Sequence, residues 1–429
     1  MARSDWSLSK KFLLVILALS SWSFILIYYF AEDFQMSTVF THRQNHDGAT
    51  NEYVTPLYDS VASETYAQGL PASYQTQMKI ERLQKIFDGN PNNTNPRLLD
   101  KVQVIIVSQK RSGSSFVGEL FNQSLDFTYF FEPLSSLTTR MVKRWTTGKF
   151  DDHAKQILNG TLHGNFTNMP IGWWSEDIPR HTCWGMTLSQ IPSLCGANVL
   201  DSQNSILVDL KDNMAVLGAS TRSRKGVAIK AIRIQNIKLL EDFVTDPSLN
   251  VKIIHLVRDP RGVMQSRTKL AEVNADLRRR KGPRADEITD LCQHMERNLQ
   301  YLNKDWLKGR YKIIRYEDIA EQPLKVASEI YKFVGLKLPM RVKTWLHAHC
   351  HTERTSDGHA FSHSRNSKET AHAWRKNIGY YKMIHIQTRC RKAMDMLGYA
   401  PILSYFDLGN FKIKTTKNLS QFLSNNTPG

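Results

Sequence analysis

The sequence predicts an α/β fold, in which a parallel sheet is flanked by helices and carries an anion-binding loop like that of P-loop proteins. Short apolar runs rich in β-branched residues recur along the chain, and segments with a helical period separate them. The first run, Val102–Val107, ends in a polar loop that leads into a helical segment. This alternation favours a parallel sheet with helices on both faces, whose ligands gather at the carboxyl ends of the strands.

The amino-terminal segment Phe12–Phe30 contains no charged residue. Its length suits a transmembrane helix, which needs about 20 apolar residues. Basic residues precede it and Glu32 and Asp33 follow it, so the positive-inside rule places residues 1–11 in the cytosol and the rest in the lumen. A cleaved signal peptide is the alternative, but the apolar run is too long for one and no clean cleavage site follows it.

Residues 31–99 are polar, with scattered Gly, Pro, Asn, Ser and Thr, and we interpret them as a lumenal stem. A globular domain over residues 100–405 and a tail over residues 406–429 are expected to follow. Glycosylation sequons agree with a lumenal location. They begin at Asn92, Asn159, Asn165, Asn418 and Asn425.

The chain of 429 residues has a formal net charge of +17, which indicates an anionic partner. A lumenal domain argues against nucleic acid and leaves a membrane surface or an acidic polymer as the partner. The densest basic run, Arg278–Lys281 with Arg284, would steer such a substrate, although a solvated loop explains it equally well. Of the five cysteines, Cys183 and Cys195 are close enough to pair across a loop, and no cysteine spacing resembles a zinc site.

The loop after the first strand has the composition of an anion-binding site. Lys110 and Arg111 supply charge, Gly113 lets the backbone approach an anion closely, and a helix beginning near Ser114 directs its unpaired N–H groups at one point. Hydroxyl donors come from Ser112, Ser114 and Ser115. The loop lacks the Gly-Lys-Ser/Thr of a Walker P-loop. A plain turn between strand and helix is the alternative, and the two adjacent cations disfavour it.

The later elements continue the alternation. Further strands are predicted over Asp126–Phe131, Gly226–Ile234, Val251–Val257 and Tyr311–Arg315. Helical periods lie at Ile237–Val244, Gly262–Leu270, Asp286–Leu302 and Pro323–Val334. Both the anion loop and Arg258 follow strands directly, so both can face the carboxyl edge of the sheet.

Several motifs, in this order along the chain, resemble the Golgi carbohydrate 6-O-sulfotransferases that act on galactose, N-acetylglucosamine or N-acetylgalactosamine. The resemblance extends from about Val102 to Tyr399, and no single motif would be specific alone. The motifs are Lys110–Phe116 with Phe131–Leu134, Lys230–Arg233, Leu256–Gly262 with Ser266–Arg267, Arg315–Asp318, and Arg365–Ser367 with Trp374–Arg375.

This resemblance implies the sulfotransferase fold and the sulfate donor PAPS (3′-phosphoadenosine 5′-phosphosulfate), with no metal. The loop residues Lys110, Arg111, Ser112, Gly113, Ser114, Ser115 and Phe116 would hold the 5′-phosphosulfate. Arg258 and Ser266 would hold the 3′-phosphate. Arg365, Trp374 and Arg375 would close over the cofactor.

Sulfuryl transfer needs positioned cations and a base for the acceptor hydroxyl. Arg111 is permanently charged and can stabilise the leaving oxygen, and a shared role for Lys110 stays open. Glu132, just after a predicted strand, is the candidate base, although a structural carboxylate paired with an arginine is almost as well supported. His255 is a weaker candidate because strand alternation can bury it. Lys230 and Arg233 are expected to contact the nucleotide or the acceptor.

The resulting hypothesis is a single-pass type II Golgi membrane enzyme that transfers sulfate from PAPS to the 6-hydroxyl of a hexose in a keratan- or chondroitin-type glycan. Its expected partners are an anionic glycan, the Golgi membrane through Phe12–Phe30 and, as an open alternative to a monomer, a second copy of the chain. One rival is a P-loop nucleotide kinase, which would need the missing Walker motif. The other is a non-catalytic, membrane-tethered binder of acidic glycans on the same scaffold.

Overall fold

A computed structural model describes residues 100–135, 137, 150–169, 210–273, 285–350 and 367–419. Within these ranges no helix is long and apolar enough to cross a membrane. The predicted span and stem lie outside the described residues. So do the predicted cysteine pair Cys183–Cys195, the basic run Arg278–Lys281, and Arg365.

The described residues form a five-stranded sheet in which all neighbouring strands are parallel. The strands are β1 Val102–Ser108, β2 Phe127–Phe131, β3 Gly226–Ala231, β4 Val251–Val257 and β5 Tyr311–Arg315. Their order is β2-β3-β1-β4-β5, so β1 is the central strand and β5 lies at an edge. All seven residues of β1 are buried, as expected for a strand covered on both faces.

Fourteen α-helices are described. They are α1 Ser114–Asn122, α2 Phe150–His163, α3 Leu210–Ser223, α4 Glu241–Thr245, α5 Pro260–Val273, α6 Ala285–Leu299, α7 Tyr316–Glu321, α8 Pro323–Phe333, α9 Met340–Cys350, α10 Ser367–His372, α11 Trp374–Asn377, α12 Tyr380–Arg389, α13 Arg391–Met396 and α14 Tyr405–Gly409. The fold class predicted from the sequence is therefore confirmed for the described domain.

The two faces of the sheet carry separate hydrophobic cores, because successive side chains of a strand point to opposite faces. In β1, Ile105 packs into one core with residues of α2 and α4, and Ile106 packs into the other with residues of α1, α8 and α9. Each large apolar side chain buried in this way contributes roughly 1.5–3 kcal/mol. The central strand, and with it the start of the anion loop, is fixed from both sides.

Most predicted boundaries agree with the structure. Strand β3 ends at Ala231, before the predicted Ile234, because its last register partner in β1 is Val107. Helix α5 starts at Pro260, earlier than predicted, since proline is favoured in the first turn of a helix. The predicted helix at Ile237–Val244 is split into a 3₁₀ turn, Ile237–Leu240, and the short α4.

The carboxyl-terminal region is part of the folded domain. Residues 406–419, which the sequence assigned to a tail, include most of α14 and return to the domain where Tyr399 bridges Thr416. A disulfide between Cys292 and Cys390 joins α6 to the residue between α12 and α13. This pairing is not among those predicted from the sequence. Cys350 is a buried free thiol.

Candidate active site

The loop after β1 is shaped by two residues in the left-handed region of backbone conformation. Arg111 has φ 70° and Gly113 has φ 86°. A Cβ atom at position 113 would lie 2.2 Å from Cδ2 of Tyr316, so only glycine fits there. Helix α1 begins immediately afterwards at Ser114, as the sequence predicted. The hydroxyl of Ser112 is buried and has no hydrogen-bond partner in the described ranges.

The structure brings the two predicted anion sites together. Strand β4 is paired with β1, so Arg258 emerges beside the loop, and its Nη1 donates a hydrogen bond to the carbonyl of Arg111 at 3.0 Å. In the opposite direction, Nε of Arg111 donates to Oγ of Ser266 in α5, also at 3.0 Å. The guanidinium of Arg258 lies 4.4 Å from the ring centroid of Tyr316, while its Nε has no hydrogen-bond partner among the described residues.

A third arginine, Arg267, supports the same loop. The sequence motif contained it but gave it no role. Its Nη2 donates to Oε1 of Gln109 at 3.3 Å and to the carbonyl of Lys110 at 3.4 Å. Burial lowers the pKa of Lys110, and the nearby positive charge of Arg233 lowers it further, against the opposing effect of Glu132. Cations are thus concentrated at the carboxyl edge of the sheet.

Glu132 lies at the end of β2 in a buried ion-pair cluster. Nζ of Lys230 is 2.8 Å from Oε1 of Glu132, and Nη1 of Arg233 is 2.5 Å from Oε2. Nζ of Lys230 also donates to Oγ of Ser115 at 2.9 Å, which connects the carboxylate to the anion loop. Burial raises the pKa of Glu132, but Lys230 and Arg233 outweigh this effect and the net shift is downward. The carboxylate is therefore ionised at neutral pH.

The two residues that the sequence named as catalytic share an unusual backbone conformation. Arg111 and Glu132 (φ 52°) are the non-glycine residues with positive φ in the described part of the chain. Such residues cost roughly 1–3 kcal/mol each and persist where the surrounding structure holds them, often at functional sites. The strain supports a functional role for both positions without assigning the chemistry.

Buried polar groups hold the turn that carries Arg258 in place. Glu317 accepts a hydrogen bond from the backbone N–H of Asp259 at 3.1 Å and one from the hydroxyl of Tyr399 at 2.9 Å. Asp259 pairs with Arg261 at 2.7 Å. Burial and the charge of Asp259 raise the pKa of Glu317. The Arg315–Asp318 motif, of unassigned function in the sequence, thus supplies Tyr316 and Glu317 as supports for Arg258.

A buried pair on α6 holds the segment that follows Arg233. Oδ1 of Asn298 accepts the backbone N–H of Ile237 at 2.9 Å, and a ring nitrogen of His294 lies 2.9 Å from the carbonyl of Ile234. Neither residue could be identified from the sequence as part of the site, since both lie in an ordinary helical pattern. Their contacts fix the course of the chain just beyond the arginine that pairs with Glu132.

His255 is unsuited to act as the base. Its Nδ1 is 2.5 Å from the hydroxyl of Tyr311, and the ring is fully buried within the sheet. Burial lowers its pKa to about 3, helped by the nearby His294. The side chain is neutral and already contacts Tyr311, which agrees with the expectation that strand alternation buries it.

The structure does not bring Arg375 to the anion loop. Its guanidinium donates to the carbonyl oxygens of Leu408, Ile413, Asp407 and Asn410, at 2.7–3.0 Å. The predicted contact with the cofactor is replaced by contacts with the carboxyl-terminal segment. Trp374 is buried against the guanidinium of Arg261 and beside Gly262, which lies one turn from Arg258. It therefore stabilises the helix that follows Arg258.

Within the described residues no group of three or more His, Cys, Asp or Glu side chains is arranged to hold a metal ion. The chemical groups assembled at the edge of the sheet are cations, hydroxyls and unpaired backbone donors around one ionised carboxylate. This arrangement suits the binding of an anionic ligand with two separated charged groups.

Comparison with known proteins matches residues 101–398 to the family described as Sulfotransferase domain. Carbohydrate sulfotransferase 1 of Mus musculus is 31% identical over 344 residues, covering 72% of this chain and 82% of that protein. Carbohydrate sulfotransferase 6 of Homo sapiens is 29% identical over 337 residues, covering 71% and 82%.

Similarity to solved structures is more distant. The sulfotransferase domain from the Synechococcus PCC 7002 olefin synthase aligns at 15% identity with a TM-score of 0.38, over 70% of this chain and 97% of that one. Retinol dehydratase in a complex with retinol and PAP aligns at 14% identity with a TM-score of 0.36, over 72% and 86%.

Proposed function

The chain belongs to the sulfotransferase family, and we propose that it transfers sulfate from PAPS to the 6-hydroxyl of a galactose, N-acetylgalactosamine or N-acetylglucosamine unit in a glycan. The names of its relatives, which are carbohydrate sulfotransferases, support a sugar as the acceptor. The 6-hydroxyl position rests on the motifs found in the sequence. The acceptor chain is expected to be of the keratan or chondroitin type.

One observation carries the proposal: at one edge of the sheet the carbonyl of Arg111 accepts a hydrogen bond from Arg258, and Nε of Arg111 donates one to Ser266. PAPS has a phosphosulfate at one end of its sugar and a phosphate at the 3′ position. A protein that binds it needs two anion sites at a fixed separation. Arg258 and Ser266, by their links to Arg111, hold the second site at a set position relative to the first.

The residues present fit this nucleotide. The buried hydroxyl of Ser112 in the anion loop and the Nε of Arg258 beside that loop have no hydrogen-bond partner among the described residues. Residues 110–116 would hold the phosphosulfate, and Arg258 with Ser266 the 3′-phosphate. PAPS, when bound, supplies a sulfuryl group activated by its bond to phosphate.

The protein's own groups have distinct tasks in this proposal. Arg111 keeps its positive charge at any physiological pH and stabilises the charge that develops on the leaving oxygen. Glu132, kept ionised by Lys230 and Arg233, accepts the proton of the acceptor hydroxyl. Lys230 connects this carboxylate to Ser115, so that the base and the anion loop keep a fixed relation.

We further propose that the enzyme is a single-pass type II protein of the Golgi membrane, with its catalytic domain in the lumen. The uncharged segment Phe12–Phe30, the basic residues before it and the sequons after it support this location. The disulfide Cys292–Cys390 agrees with folding in an oxidising compartment.

The test is transfer of radiolabelled sulfate from PAPS to a panel of desulfated glycans by the full-length protein. We expect transfer to one or more of them, and no transfer to a matched acceptor whose 6-hydroxyl has been replaced by hydrogen. Arg111→Ala and Arg258→Ala should abolish most of the activity, whereas Lys155→Ala, which breaks an exposed pair with Asp242, should not. Wild-type protein that binds glycans but transfers nothing would contradict the proposal and favour a non-catalytic binder.

A further inference from the structure

A large cavity lies along the free edge of the sheet, away from the central strand that carries the anion loop. Its volume is about 1290 Å³. Strand β5 forms one wall, and α8, α10 and the carboxyl-terminal residues 411–419 form the others. Strand β4 separates β5 from β1, so the cavity is offset from the loop by roughly 10 Å, two interstrand spacings. The active-site residues described above, from 110 to 116 and with Glu132, do not line it.

The walls of this edge cavity are strongly basic. Nine lysine and arginine residues line it against four acidic residues, a larger excess than the 57 to 40 of the whole chain. Three of the four acidic residues already have basic side chains as partners: Asp318 pairs with Arg315, Glu329 lies beside Lys312, and Glu321 contacts the ring of His372. The cavity therefore has little negative charge to offer a cation and an excess of positive charge.

Four of the lining lysines come from four different elements and have no ion-pair partner within the described residues. They are Lys308, after the turn that precedes β5, Lys325 in α8, Lys368 in α10, and Lys414 in the carboxyl-terminal segment. All four are exposed. Lysines that converge from separate parts of the chain and outnumber the carboxylates around them make a surface for an external anion.

The dimensions favour an extended ligand. Lys308 lies before the amino end of β5 and Lys368 is on a helix packed against α7, which follows its carboxyl end, so the lysines span a five-residue strand of roughly 17 Å. The volume exceeds the 300–1000 Å³ or so of a typical small-molecule pocket. A single phosphate or monosaccharide would contact only one part of the wall.

We propose that the edge cavity binds an anionic polysaccharide chain at a second site, separate from the one where sulfate is transferred. The ligand class rests on the proposed function, since a glycan acceptor that gains sulfate becomes a linear polyanion. Repeating negative charges along such a chain match lysines distributed along the strand. The site would hold a remote part of the acceptor chain and raise its local concentration at the active site.

The experiment measures binding directly, so it does not depend on catalysis. The full-length protein in detergent is titrated with polymeric chondroitin sulfate and, as the neutral control, with dextran of matched length, over a range of salt concentrations. The test variant combines Lys325→Gln, Lys368→Gln and Lys414→Gln. The matched control combines Lys332→Gln, Lys337→Gln and Arg341→Gln, which removes the same charge from exposed positions that do not line the cavity.

We expect the test variant to bind chondroitin sulfate about tenfold more weakly, as the loss of three exposed charge contacts implies. The slope of log affinity against log salt should fall by about two to three, because each neutralised charge releases a counterion. The control variant should keep wild-type affinity, and dextran should not bind. Equal losses in both variants, or no loss in either, would overturn the second site.

Sulfate transfer to a short and a long acceptor separates this inference from the proposed function. If both hold, the test variant has a raised KM for the long acidic chain and an unchanged KM for a disaccharide. If the wild-type protein transfers no sulfate, but the test variant binds chondroitin sulfate more weakly than the wild type, the second site is supported and the proposed function is contradicted. If the test variant sulfates both acceptors with wild-type KM values, the second site is contradicted and the proposed function is not.

Discussion

Two groups of arginines in this protein look alike in sequence but differ in what they bind. The loop arginines are Arg111, Arg258 and Arg267, and the clamp arginines are Arg261, Arg315 and Arg375. The clamp arginines are almost fully buried, at 0%, 2% and 4% exposure, and their guanidinium groups donate to carboxylates, one amide and the carbonyl oxygens of residues 397–417. In the loop group, Nε of Arg258 and Nε of Arg267 have no hydrogen-bond partner within the part of the chain that the structure describes.

This difference shows how to separate a structural arginine from a ligand-binding one. A planar guanidinium has five donors, and a folded chain that uses an arginine for its own stability tends to satisfy them. Arg375 makes four contacts with carbonyl oxygens and has little left to offer a ligand. Arg258 donates to the carbonyl of Arg111 at 3.0 Å and, at a longer 3.5 Å, to that of Thr370, and it stacks on Tyr316, so it retains capacity for a phosphate.

The largest effects are expected from the loop group. Arg258→Ala should raise the KM for PAPS by about 100-fold, since loss of one member of a hydrogen-bonded charge pair costs about 3 kcal/mol. Arg111→Ala should lower kcat by about 100-fold, because its charge is needed when the leaving oxygen develops charge. Steady-state kinetics with PAPS as the varied substrate measure both values.

The matched control for these variants is Arg341→Ala, at an exposed position. Its kinetic constants should equal those of the wild type. The comparison between the two groups breaks if Arg258→Ala leaves the KM for PAPS unchanged while it lowers stability, as a clamp arginine would.

A smaller effect of a different kind is expected from the clamp. Arg375→Met should lower the free energy of unfolding by about 3 kcal/mol, because four carbonyl oxygens, one of them in a fully buried hydrogen bond, lose their donor. The KM for PAPS of the folded variant should stay unchanged. Urea denaturation followed by tryptophan fluorescence, together with kinetics under native conditions, measures the two quantities.

A raised KM for PAPS in Arg375→Met without loss of stability would restore the cofactor role that the sequence suggested for this residue. The neighbouring Trp374 cannot serve as the control, since it packs on Arg261 beside Arg258. Arg389→Met, at an exposed position of α12, is suitable because it changes charge without removing a buried donor.

Much of the fold could be predicted because strand signals here are local. The buried runs of β1, β4 and β5 are β-branched and bounded by polar residues, and their predicted limits differ from the structure by at most one residue. The order of strands in the sheet could not be read in the same way. Parallel pairing depends on contacts between residues far apart in the chain, such as Val107 with Ala231.

The site was predictable to the extent that its residues follow strands. Arg111, Glu132 and Arg258 each lie just beyond a strand's carboxyl end, a position that the sequence does reveal. Partners were not predictable: Arg375 sits in a basic motif, and only the fold shows that residues 407–413 return to cover it. The same holds for the Cys292–Cys390 disulfide, which bridges a separation of 98 residues.

Arg233 differs from both groups, because its donor meets a carboxylate inside the site. A substitution of Arg233 therefore tests whether an arginine can act on catalysis through a carboxylate, and its expected effect is the smallest of those considered. Arg233 lowers the pKa of Glu132, so Arg233→Gln should raise that pKa, while Lys230 still holds the other oxygen. If Glu132 is the base, the acidic limb of the kcat/KM profile should move to higher pH, and the rate near neutral pH should change little.

The same substitution should alter the pH dependence of stability, with a sign that follows from the direction of the shift. The pKa of Glu132 is lower in the folded protein than its ordinary value of 4.5, so the stabilisation is present above that value and is lost as the pH falls through the folded pKa. Arg233→Gln should reduce this stabilisation at pH values above 4.5, and its difference from the wild type should shrink as the pH falls through the folded pKa, whereas Arg341→Gln should show no such pH-dependent difference. A variant that loses this stabilisation above pH 4.5 but keeps the wild-type acidic limb of kcat/KM would make Glu132 a structural carboxylate, and the base would have to be another residue.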